Sequence, residues 1–231
     1  MKDRINLDKA ALIGRTFEEY YKIFRLSVFN SNQIKILDVG SGVSSFCAEA
    51  CEKGMNVIAM DPIYNFDPIE LQMKCEMDLE HVINELDGVE HLYIWDIFHD
   101  KNDLKEQRER AYKTFLKHYQ HHKGERYIAE KMPKTSFRNA QFDAIISSHL
   151  FFLYDHIFDY RFYEDAIKEM LRIVLKEIRI FPLVSLNGKR SKYFDNFLEY
   201  LNLQNVKISI EKVDYEFIRG GNEFLRIKKM K

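Results

Sequence analysis

At 231 residues the chain suits one domain with an elaboration and is long enough to bury a sizeable core. Its 35 Lys and Arg against 36 Asp and Glu leave a net charge of −1, which excludes a global pull toward nucleic acid or anionic membranes. No run of 18 apolar residues marks a membrane span, and the charged start MKDRINLDKAALIG lacks a signal-like apolar core, so a cytoplasmic protein is expected.

In chain order, Thr16-Phe-Glu-Glu19 is a capping box and predicts an N-terminal helix over 16–28, strongest to Leu26. Residues 34–39 read as a buried strand, 43–53 as a helix and 57–60 as a second strand. Asp67-Pro68-Ile-Glu70 supplies an N-cap, a proline at the first helical position and an acid at the third, opening a helix expected to end near Gly88. The charged stretch to Gly124 keeps a helical pattern, with Leu104, Ala111, Phe115 and Tyr119 on one face. Strands are expected at 126–129, 142–147, 178–184, 206–217 and 223–227, with helices at 166–175 and 192–201. Gly220-Gly221 would turn between the last two strands. Alternating strands and helices predict an α/β domain with a mostly parallel sheet.

The segment 66–125 looks like a helical cap inserted in the single domain 1–231, and its charges divide sharply. Residues 66–100 hold ten acids and one Lys, whereas 101–138 hold eleven Lys or Arg against five acids. Two such parts suit each other as a self-complementary cap; the competing reading makes the basic part an RNA- or phosphate-facing surface. Cys47, Cys51 and Cys75 contain no C-x-x-C pair and read as free thiols, and no metal-ligand set is visible. His121 and His122 read as solvated.

A strand followed by Gly40-Ser41-Gly42 and a helix lets backbone approach a ligand closely. A dinucleotide fingerprint needs a third glycine where this chain has Ser45. Asp38 would repel a pyrophosphate but suits an ammonium group, directly or through a water. Asp61 lies 19 residues past Gly42, a spacing that suits a carboxylate accepting ribose hydroxyls. S-adenosylmethionine meets these demands better than NAD does.

ILDVGSG followed by VIAMD resembles the first two motifs of class I S-adenosylmethionine-dependent methyltransferases. MPKTSFRNAQFDAIISSHLFF and KEMLRIVLKEIRIFPL are similar to that family's run into the fourth and fifth strands. GRTFEEY, DPIY, SHLFFLYDH and YEFIRGGNEFLRI further resemble elements of a bacterial group of uncharacterised methyltransferases. The resemblance implies a Rossmann-like fold whose seven-stranded sheet runs in the order 3-2-1-4-5-7-6 with the seventh strand antiparallel, and it implies no substrate. The family's Pro-Gly-Gly turn before the fifth strand is missing, so a shorter connection is expected. The third-strand acid that meets adenine would be Glu130, or displaced to leave Lys131 or Met132 in contact.

Methyl transfer from a sulfonium needs alignment more than acid–base machinery, so no triad is expected. His149 leaves the end of the fourth strand and is the candidate base; Tyr154, Asp155 and His156 are candidates for shaping the acceptor pocket. Phe151 and Phe152 read as packing. Asp38, Gly40, Ser41, Gly42, Asp61, Pro62, Glu130 and Ser147 are the expected cofactor contacts. Arg15 beside the methionine carboxylate and Tyr20 near the sulfonium join them, with Tyr21 a further candidate. No Asn/Asp-Pro-Pro-Tyr/Phe element for a flipped base amine follows the fourth strand. A small-molecule methyl acceptor is favoured, because the cap can enclose one and no dedicated nucleic-acid module is visible. RNA methylation, or non-catalytic S-adenosylmethionine binding, are the alternatives.

Overall fold

The computed structural model describes residues 2–29 and 32–230. The apolar runs β1 (Lys35–Val39), β2 (Asn56–Met60) and β4 (Phe142–Ser148) pair in parallel, with β1 in the middle. A two-residue β3 (Tyr127–Ile128) extends the β2 edge, and β5 (Val174–Phe181) lies beyond β4. β7 (Glu223–Lys229) runs antiparallel to both β5 and β6 (Val206–Lys212). The order β3-β2-β1-β4-β5-β7-β6 is that of the Rossmann-like class I methyltransferase fold.

Alternation along β1 divides the core between the two faces. Ile36 joins the cluster containing Tyr20, Phe24 and Phe46 from α1 (Phe17–Phe24) and α2 (Phe46–Glu52). Leu37 and Val39 join the opposite cluster, where α5 (Tyr160–Ile173) and α6 (Phe194–Asn202) bring Tyr163, Met170 and Phe197. Phe151 and Phe152 are fully buried in that second cluster, as packing residues.

The predicted capping box forms at Thr16–Glu19, and the helix start expected at Asp67–Glu70 closes as a second one. The first helix is shorter than expected: it stops where Arg25 turns left-handed at φ 47°, and a separate 3-10 turn covers Leu26–Phe29. α2 starts at Phe46 rather than 43, because Val43 to Ser45 remain in the glycine loop. The expected helix at 166–175 begins at Tyr160, and β5 starts at Val174 immediately after it. There is accordingly no shortened connection before the fifth strand; there is no connection. The strand expected over 206–217 ends at Lys212. Residues 213–222 instead leave the sheet and dock on the cap, with Ile94 N donating to Phe217 O (2.8 Å) and Arg219 N to Leu92 O (2.8 Å).

Between β2 and β3 lie α3 (Pro68–Glu85) and α4 (Lys101–His122). Their opposite charges meet: Lys105 reaches Glu80 at 2.8 Å, and Lys101 bridges Asp87 and Glu90. Tyr64, Phe115, Tyr119 and Tyr127 stack beneath, joining the cap to the sheet. No described helix is long and apolar enough to cross a membrane.

Candidate active site

At the C-terminal ends of β1, β2 and β4 the chain encloses a cavity of about 290 Å3. The glycine loop forms one wall. Gly40 and Gly42 hold φ of +67° and +56°, and Gly40 N and Ser41 N both donate to Met60 O at the end of β2. At that φ a side chain on Gly40 would be strained, and its Cβ would stand 2.2 Å from Leu150 Cδ2, which would have to shift. Ser41 and Gly42 also face the cavity.

Asp61 follows β2 and caps the 3-10 turn that begins at Pro62; both residues line the cavity. One Asp61 oxygen accepts from Gly42 N and the other from Ile63 N, each at 3.0 Å. This fixes the carboxylate while leaving a lone pair on each oxygen for a ligand. Burial outweighs these two donors and pushes Asp61 up to about 6.

Asp38 is placed differently from the expectation. It is fully buried and lies behind the wall rather than in it. Neither of its oxygens has a hydrogen-bond partner, and the Ser41 hydroxyl is likewise unpartnered. Burial raises Asp38 to about 7, although the nearby Ser41 and Tyr20 hydroxyls favour its charged form. Tyr20, stacked on Phe46 at 4.3 Å, also lines the cavity. Two hydroxyls and a buried acid without a counter-charge form a wall complementary to a cation.

Glu130, Lys131 and Met132 all line the cavity. Glu130 is held by Ser136 N at 2.9 Å. Ser147 is not in the wall, because its hydroxyl turns back to Val39 O at 2.9 Å; Ser148 takes the cavity-facing position.

His149 lines the cavity with a left-handed backbone, φ 55°, an uncommon conformation for a non-glycine residue. Its N–H donates to Phe181 O at 2.7 Å, and its Nδ1 lies 2.8 Å from Ser148 Oγ. Burial, then the positive charges of Arg15 and Arg108, hold it well below the ordinary histidine range, so the imidazole is neutral. Tyr154 also lines the cavity, its hydroxyl accepting from Ala11 N at 3.2 Å. Asp155 does not: it accepts from Lys192 N at 3.2 Å and anchors the segment before α6. His156 likewise serves the scaffold, bonding Leu7 O at 2.8 Å. Tyr21 is exposed on α1, away from the cavity.

The roof is a strap that the sequence did not announce. Ala10 to Ile13 and Arg15 cross the cavity, tied down by Leu12 N to Asp78 (2.9 Å) and by Ser44 Oγ and Ser45 N to Arg15 O (2.6 and 3.0 Å). Behind it, Arg108 of α4 grips Glu19 through both terminal nitrogens at 2.7 and 2.8 Å, and Tyr215 donates to the same carboxylate at 2.8 Å. Burial alone would raise Glu19, but Arg108 brings it down to about 2. The capping box was a visible signal for Glu19; Arg108 sat unmarked in a basic run.

No protein-family model matches the chain. Among solved structures, magnesium protoporphyrin IX methyltransferase from Synechocystis with bound SAM aligns over 92% of this chain and 76% of its own, at 8% identity and a TM-score of 0.48. A SAM-dependent methyltransferase from Methanosarcina mazei aligns over 89% and 97%, at 12% identity and a TM-score of 0.48. The fold rests on the strand order rather than on these distant alignments. An uncharacterized protein of the archaeon Methanocaldococcus jannaschii is 42% identical over 227 residues, covering 97% of this chain and 99% of its own. The resemblance to a bacterial group rests on the motifs alone. Sharing such identity over nearly all of both chains, the protein belongs to the family of that Methanocaldococcus jannaschii protein.

Proposed function

We propose that the protein is an S-adenosylmethionine-dependent methyltransferase acting on a small molecule. The observation that carries this reading is the cavity wall made by Ser41 and Tyr20, with the unpartnered carboxylate of Asp38 buried behind them. A cationic ligand relieves that arrangement, whereas a pyrophosphate worsens it. The group fits the remaining residues too. Asp61 offers two oriented oxygens to vicinal hydroxyls, and the positive-φ glycines let backbone approach the ligand.

When bound, S-adenosylmethionine supplies an activated methyl group. The chain's own work is positional. Asp38, through Ser41 and Tyr20, balances positive charge; Asp61 fixes the ribose; the strap excludes water. Neutral His149 is placed to accept a proton from an acceptor that must lose one.

Calorimetric titration with S-adenosylmethionine, S-adenosylhomocysteine and NAD tests the reading. Micromolar binding of the first two, weakened about tenfold or more by Asp61→Ala, is expected. Preference for NAD, or no binding, overturns it.

A further inference from the structure

We propose that Ser148 is a positioning residue: it holds His149 as the Nδ1–H tautomer and so leaves the Nε2 lone pair free to take a proton from the methyl acceptor. The proposal rests on the methyltransferase reading and deepens it.

The His149 ring is uncharged, because burial and the nearby charges of Arg15 and Arg108 oppose its protonation. A neutral imidazole carries its one proton on either nitrogen, and only the bare nitrogen acts as a base. The fold decides which nitrogen meets which neighbour. His149 N is tied to Phe181 O at 2.7 Å, and the ring packs edge-on against Phe181 and Tyr215, with centroids at 5.2 and 6.3 Å. Nδ1 is thereby set 2.8 Å from Ser148 Oγ, whereas no described residue bonds Nε2. The left-handed φ of 55° belongs to the same arrangement, since strain of this kind persists where it aims a functional side chain.

The contact between Ser148 and His149 forms with the proton on either side, so its direction depends on where else the Ser148 proton goes. The Tyr20 hydroxyl has Asp38, Ser44 and Ser148 as neighbours. Ser44 already spends its proton on Arg15 O, at 2.6 Å. Asp38, ionised beside a cationic ligand, only accepts and draws the Tyr20 proton. Among these neighbours, Ser148 is then the donor left for the Tyr20 oxygen. With its proton committed to Tyr20, Ser148 Oγ accepts from His149, and the ring proton sits on Nδ1. Ser147 cannot take this part, because its hydroxyl donates to Val39 O.

The test is heteronuclear NMR of the full chain carrying isotope-labelled histidine, at pH 8 with S-adenosylhomocysteine added. His149→Gln assigns the resonance by its loss, and long-range couplings from the ring protons show which nitrogen is protonated. The His149 proton is expected on Nδ1. Ser148→Ala and Tyr20→Phe should each move it to Nε2, the second by removing an oxygen that does not itself bond the ring. Ser148→Thr, which keeps the hydroxyl, should retain the proton on Nδ1. A parent protein with the proton on Nε2 overturns the proposal, as does a proton that stays on Nδ1 in both Ser148→Ala and Tyr20→Phe. The methyltransferase reading fails separately, when S-adenosylhomocysteine does not bind; a proton on Nδ1 that moves in the two variants would still assign Ser148 its part.

Discussion

Asp38 illustrates how a single residue can trade stability for binding. With its carboxyl raised to about 7 by burial, the native state holds a proton that the unfolded chain releases near its ordinary 3.8. Native protein therefore binds more protons between those values, and stability falls as pH rises through that window. The full effect, a few kcal/mol, is present above about pH 7. Asp38→Asn should consequently stabilise the unliganded protein at pH 8, flatten its melting temperature between pH 5 and 8, and weaken S-adenosylhomocysteine binding about tenfold or more. A variant no more stable than the parent at pH 8 would contradict this. Glu19 has the opposite sign. Its carboxyl is held down to about 2, so its contribution is present above the ordinary 4.5 and lost as pH falls toward 2. Glu19→Gln strands the buried Arg108 charge and should cost about 3–5 kcal/mol in denaturant unfolding. Gly40 and Gly42 after β1 and Asp61 after β2 could be placed together from the sequence, because neighbouring parallel strands end side by side. Ser147 and Asp155 were misplaced because side-chain direction after β4 depends on whether Ser148 or Ser147 faces the cavity, and on what Lys192 needs.

Among the elements, the strap depends for its fit on Gly14. A Cβ on Gly14 would meet Val43 O at 2.3 Å and Val43 C at 2.9 Å, backbone atoms of the glycine loop that cannot swing aside. Gly14→Ala should therefore lift the strap, costing about 1–3 kcal/mol. It should also lower S-adenosylhomocysteine affinity, because Arg15 O loses its hold on Ser44 and Ser45. Limited proteolysis checks the mechanism: cleavage within residues 2–15 should accelerate, while the sheet remains resistant. Unchanged cleavage would mean that the loop yields instead. The starts of α1 and α3 were readable, since capping boxes are local chemistry in which Thr16 or Asp67 meets an acid three residues on. Two other features were not. The α5–β5 junction lacks any turn residue, and Lys229 of β7 donates from afar to the carbonyls of Leu171 in α5 and Val174 at the head of β5. Residues 213–222 carry a strand-like composition but are drawn off the sheet by Phe217, which packs among Tyr93, Trp95 and Phe98 of the cap.

For the molecule as a whole, the charge division decides between acceptor classes. A segment with ten acids and one Lys beside one with eleven bases and five acids implied mutual packing, and α3 and α4 do meet through Lys101 and Lys105. Exposed pairs of this kind contribute little each, so their role is cancellation of field rather than stability. What remains exposed on α4 as positive charge includes Arg110, Lys113 and Lys117, and Lys113 is paired with Glu109. An RNA acceptor held by several phosphates would give a log–log salt slope of roughly −0.7 per phosphate on a single strand. With so few free charges on that helix, RNA binding through α4 should be weak, with a slope no steeper than about −2. Replacing Arg110, Lys113 and Lys117 together by Gln should leave cofactor binding unchanged and remove what slope there is. A steep slope in the parent protein that collapses in the triple variant would move the acceptor from a small molecule to RNA, because only a surface that releases many counterions responds to salt in that way.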